Sequence, residues 1–140
     1  MLKNFFKKQK NVSSNNKNIL VAALLIHAAK IDENYTEIEK TIIRQAIINL
    51  NGISQDEANE ILKLAEKKEE ESNQIVEFTK EIKQYPMEFR LKIIEIIWKI
   101  VYSDGTSDNY ESNLIRRICG LLYISDKDSG NIKIKVKNSQ

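Results

Sequence analysis

Two stretches of this chain, 72 residues apart, align without a gap: "DENYTEIEKTIIRQAIINL" (residues 32–50) lies over "DGTSDNYESNLIRRICGLL" (residues 104–122). Asp32 matches Asp104, Glu39 matches Glu111, Ile43 matches Ile115, Arg44 matches Arg116 and Leu50 matches Leu122, which is five identities in nineteen positions. Ile42 and Leu114 form a conservative pair, and the helix-capping residues Thr36 and Asp108 coincide. One insertion then brings Ile53-Ser54 over Ile124-Ser125. Each copy reads as apolar helix, acidic turn, capped helix. Such a unit cannot bury its apolar face alone, so the duplication predicts two similar helical hairpins packed face to face.

The hairpins are helical because the chain lacks the means to turn often. It has one proline and four glycines in 140 residues, too few for the many turns of a β-fold. Apolar periodicity predicts helices over residues 18–30, 37–50, 55–71, 74–84, 86–102 and 109–122, with a short seventh turn after Ser125. Thr36 with Glu39, and Ser54 with Glu57, have capping-box spacing. Pro86 suits the first turn of the fifth helix. In the second helix, Ile38, Ile42, Ala46 and Leu50 form one stripe, widened by Ile43 and Ile47, and this face is expected to point inward. The fifth helix is apolar all round and is expected to be the central one. The fold class is therefore all-α, a compact bundle of about seven helices built from two related hairpins.

The two ends are basic. Residues 1–17, "MLKNFFKKQKNVSSNNK", carry five lysines and no acid. They read as a solvated, disordered tail, or as a basic arm in which Phe5 and Phe6 touch an anionic membrane surface. Residues 18–128 form the helical domain. Residues 129–140 include "NIKIKVK", whose period of two suggests a strand. A lone strand without a partner is not stable, so this segment is expected to be a second disordered basic tail, with the last helix cut short at Gly130.

Several function classes are excluded or disfavoured. The net charge of +2 is too balanced for a nucleic-acid binder. A single cysteine, Cys119, precludes an internal disulfide and suits a reducing compartment. With one histidine, His27, beside it, the chain lacks the ligands of a zinc site. His27, Cys119 and Trp98 are each expected to be structural. The longest apolar run, residues 19–26, falls short of the roughly 20 residues that span a bilayer. No signal-peptide core, catalytic triad or phosphate loop is visible. A cytoplasmic protein that is not an enzyme is the expectation, with a protein partner and, through the N-terminal tail, contact with the inner membrane.

The acidic turns admit two readings. Helix capping accounts for Thr36 with Glu39 and for Asp108 with Glu111, since a helix start has free N–H groups and a favourable dipole for acids. Gly105 can close the preceding helix in the left-handed conformation. Asp104 and Asp32 are different, because each stands just after a helix end, where the dipole disfavours a carboxylate. Arg44 or Arg116 folding back would compensate, and so would a hard cation. Ca²⁺, Mg²⁺ or Mn²⁺ takes carboxylate and carbonyl oxygens, and Asp32, Glu33 and Glu39, or Asp104, Asp108 and Glu111, are oxygen donors at the right places. Measured from Asp104, the position where an EF-hand requires glutamate is Ile115, and no Glu-x-x-His pair of a di-iron bundle occurs.

At these residues a family resemblance enters. "WKIVYSDGTSDNYESNLIRRICGLLYISDKD" (98–128) and "LLIHAAKIDENYTEIEKTIIRQAI" (24–47) resemble the C-terminal and N-terminal signatures of the TerB (tellurite-resistance) family. The first turn has Glu33 where the family commonly has glycine. The resemblance spans residues 18–128 and implies a bacterial all-helical fold of about seven helices, without enzymatic activity. It also implies a link to tellurite resistance and wider stress responses, and a likeness to the N-terminal region of DjlA-type co-chaperones. Carried over, it names Asp32, Glu39, Asp104 and Glu111 as metal-binding candidates.

Overall fold

Three hydroxyl side chains set where helices begin. Thr36 Oγ1 accepts from the Glu39 N–H at 3.2 Å, Ser54 Oγ from the Glu57 N–H at 3.2 Å, and Ser125 Oγ from the Asp128 N–H at 3.1 Å. Each cap residue has extended backbone, so the chain enters the helix from outside while satisfying a free donor. Pro86 stands one place before the first residue of its helix, with ψ 149°, and so serves as the entry to it.

The computed structural model describes the backbone of residues 2–32, 35–72, 74–103 and 109–139, with side chains from residue 16 onward except around residues 32–34, 73 and 104–112. The described residues form α1 (Leu2–Ala29), a 3-10 turn (Lys30–Asp32), α2 (Glu37–Asn51), α3 (Gln55–Glu71), α4 (Val76–Ile82), α5 (Met87–Tyr102), α6 (Asn109–Leu121) and α7 (Asp126–Asn138). They contain no strand. The all-α fold class read from the sequence is the one observed.

The duplication is carried into three dimensions in register. Ile43 and Ile115 are buried at equivalent positions of α2 and α6, as are Ala46 and Ile118, and Ile47 and Cys119. The register also persists beyond the hairpin. Ser54 and Ser125 cap α3 and α7, and Ala58 and Ala65 of α3 are buried where Ser129 and Val136 of α7 are buried. α3 packs most extensively on α1, and α7 on α5. The repeating unit is thus three helices, α1–α3 and α5–α7, with α4 between them.

Four sequence expectations change. Residues 129–138 are helix α7 rather than a disordered tail, and the helix does not stop at Gly130. The alternation of "NIKIKVK" conceals a helical face: Ser129, Ile132 and Val136 turn toward the core at i, i+3 and i+7, while Ile134 is 59% exposed on the other side. Trp98 fixes α7 in place, since its Nε1–H donates to Ser129 Oγ at 3.2 Å. At the other end, the basic segment is helical from Leu2, in continuation of α1.

The central helix is the second half of α1, not α5. Val21 to Ile26 are buried on every side, and α1 touches α2, α3, α4, α5 and α6. Ala22 and Ala23 let those neighbours approach closely, whereas Lys92 and Lys99 keep one side of α5 at the surface. Finally, the stripe of Ile38, Ile42, Ala46 and Leu50 does not point straight at the core. Ile38 is 63% exposed, and Ile42 and Leu50 are half-buried; the fully buried side of α2 is that of Ile43 and Ile47.

Candidate functional site

The first acidic turn joins α1 to α2. Its descent from α1 is tight: the helix ends at Ala29, one 3-10 turn follows, and Thr36 restarts the helix. Thr36 and Glu39 form a complete capping box. Glu39 Oε1 accepts from the Thr36 N–H at 2.8 Å and from Thr36 Oγ1 at 3.0 Å, while the same hydroxyl accepts from the Glu39 N–H. Glu39 is buried, so the capping reading is realised at this residue, and two donors occupy Oε1.

Around this turn stand acids from α3, from the stretch whose run of charges suggests a solvated or fraying end. Glu69 is buried. Its Oε1 lies 3.3 Å from His27 Nδ1, and its Oε2 accepts from Lys30 Nζ at 2.8 Å. One turn earlier, Glu66 Oε1 accepts from the Tyr35 hydroxyl at 3.4 Å. Burial, and then the Glu66 charge, push the Tyr35 phenol well above its ordinary range, so it stays a donor. Lys40 lies over the Tyr35 ring at 4.9 Å from its centroid. His27 thus has an acidic partner. The signal that could reveal Glu69 is the spacing of Ala58, Ile61, Leu62 and Ala65, which runs on to position 69 on the same helical face.

The residues nominated from the sequence fall as follows. Asp32 is the last residue of the 3-10 turn, three residues past α1, and Glu111 is the third residue of α6; the side chains of both lie outside the described residues. Asp104 and Asp108 lie outside them altogether. Among the described residues, no three histidine, cysteine, aspartate or glutamate side chains stand together as a metal's ligands would. Cys119 is buried, and burial pushes its thiol up, which keeps it protonated and unsuited to act as a nucleophile.

A second feature is not foreseen by the sequence pattern. Between α2 and α5 runs an open groove of about 530 Å³. Ile42, Ala46, Leu50 and Ile96 supply its apolar lining, and Lys92 and Lys99 stand on its α5 side. Glu95, between the two lysines, pairs with Lys135 of α7 at 3.2 Å.

These features sit on a fold whose kinship is established. The family described as tellurite resistance protein TerB matches residues 18–134, and the chain belongs to that family. TerB is an all-helical domain and generally a non-catalytic one. The match includes both acidic turns and enters α7. No curated protein and no solved structure matches the chain. Among the described residues, no helix is long and apolar enough to cross a membrane.

Proposed function

We propose that this TerB-family chain is a non-enzymatic module that binds a divalent cation, Ca²⁺, Mg²⁺ or Mn²⁺, at its acidic inter-helix turns and acts in a bacterial stress response of the tellurite type. The observation that carries the reading is the doubled turn. Asp32 and Glu39 recur as Asp104 and Glu111, and α2 and α6 begin at equivalent positions, Glu37 and Asn109. Asp108 adds a further oxygen donor in the second turn. Capping accounts for Glu39 and, by spacing, for Glu111, but it gives no reason for an aspartate that follows a helix in the sequence of both copies. Calorimetry of the whole chain with each of the three cations tests this. Heat of binding that Asp104→Asn abolishes is expected; no heat at millimolar cation overturns the metal reading.

The α2/α5 groove supports a second reading, in which the domain is a cytoplasmic adaptor that holds a protein partner without metal, as in the N-terminal region of DjlA-type co-chaperones. In that reading the lysines of residues 1–17 add contact with the inner-membrane surface.

A further inference from the structure

The three-helix units predict something about the groove that neither unit shows alone. α4 belongs to neither copy, and it packs on α1 and α6. The equivalent junction in the other half of the molecule is that of α5 with α2, which is the groove. Extending the 72-residue register back along the first helices pairs Leu20 with Lys92, Ala23 with Glu95, Leu24 with Ile96 and His27 with Lys99. The groove side of α5 thus corresponds to a side of α1 on which Leu20, Ala23 and Leu24 are all buried. Leu20 shares a crevice with Glu77 and Glu81 of α4. A short amphipathic helix, anchored by buried Ile75, Phe78 and Ile82 at i, i+3 and i+7, therefore serves one of two equivalent junctions. At the other junction, no described segment occupies the groove.

Two differences state what would fill it. Ile42 and Leu50, which line the groove, belong to a stripe patterned as a buried face but remain half-buried, which calls for an apolar partner face. In place of Leu20 and His27, the groove presents the exposed cations Lys92 and Lys99, while Glu95, the one acid of the lining among the described residues, is engaged by Lys135. We infer that the α2/α5 groove docks an amphipathic helix of a partner protein, with apolar anchors spaced as in α4 and acidic residues along its flanks. This rests on the adaptor reading and gives it a partner chemistry. The chain's own N-terminal helix, with five lysines and no acid in residues 1–17, has the wrong charge for the place. The lining of α2, from Thr41 to Leu50, extends roughly 14 Å, enough for two to three turns of a docked helix.

Three labelled helical peptides test the inference. They share one leucine and phenylalanine face with anchors at i, i+3 and i+7 and carry glutamate, glutamine or lysine on the flanks. Fluorescence anisotropy against the whole chain should show the glutamate peptide binding about tenfold or more tighter than the lysine peptide. The paired substitution Lys92→Glu with Lys99→Glu changes only exposed side chains and should invert that order, while Ile42→Gln should weaken all binding. Amide shifts on titration should centre on Ile42, Leu50 and Ile96. Equal binding of all three peptides in the groove overturns the acidic partner and leaves the adaptor reading standing. Binding that ignores the paired substitution, or that maps elsewhere, overturns the groove as the site. If none of the three binds, the adaptor reading loses its support as well.

Discussion

The two corners that close α2 and α6 solve one problem with different residues. Gly52 ends α2 in the left-handed conformation, with φ 62°. Tyr123 takes the same conformation after α6, with φ 58°. There the Ile124 N–H donates to the Cys119 carbonyl at 2.8 Å and the Tyr123 N–H to the Gly120 carbonyl at 3.3 Å, which is the Schellman pattern. Glycine takes this backbone at no steric cost, whereas tyrosine pays one in Cβ crowding. Arg90 reinforces the second corner: its guanidinium donates to the Leu122 carbonyl at 2.6 Å and to the Tyr85 carbonyl at 2.8 Å. Backbone geometry and core register thus persist between the copies, while the side chains that enforce them have been replaced. The halves have diverged at their matching junctions, where α4 packs on α1 and α6 while α2 and α5 leave a groove.

The largest effect expected from breaking this equivalence lies in the core. Ile43→Ala and Ile115→Ala remove matched, fully buried side chains, and each should cost about 3 kcal/mol in urea unfolding. Losses that differ by more than a factor of two would mean that the two units are packed unequally, whatever their register. A smaller loss, about 1 kcal/mol, is expected for Thr36→Ala, which deletes both hydroxyl bonds of the capping box. The same variant, melted with and without millimolar Mg²⁺, sharpens the comparison of cap with cation site. An equal loss in both conditions leaves Glu39 to the cap alone. The smallest effects separate the two corners. Gly52→Ala should cost about 1 kcal/mol, because its added Cβ meets nothing and only the backbone objects. Tyr123→Gly should leave stability unchanged or raise it by up to about 1 kcal/mol. A clear loss instead would show that the ring, which lies under Lys83, contributes more than its backbone strain removes.

Much of the fold is legible in the order of residues. The start of α3 and the capping box of α2 can be read to the residue, because a hydroxyl three places before a glutamate has a direct hydrogen-bonding meaning. The core positions Ile43, Ile47 and Ile115 follow from helical period. Less legible are features in which one face mixes residue types. α7 hides from the pattern because Ser129, a polar residue, stands on its buried face, and exposed Ile134 completes a false alternation. Glu69 hides because a run of charges usually means solvent, yet its helical position faces the end of α1 and the 3-10 turn after it, where His27 and Lys30 meet it. Of the candidate site, the cap at Glu39 is legible in full, since its partner Thr36 is three residues away; Glu66 and Glu69 reach the same turn only across the bundle.

The sequence by itself determined the helical class, the duplicated turn and the register of the two copies. These are local matters of period, capping and scarcity of turn residues, which the chain carries wherever it folds. Only the tertiary structure decided that α1 is the centre and that Glu69 meets His27 and Lys30. It also decided that α2 and α5 part to leave a groove while α4 packs at the matching junction of α1 and α6. Each of those depends on which faces meet across the bundle. Helix periodicity says that a face is apolar, but only the meeting of distant helices says what covers it.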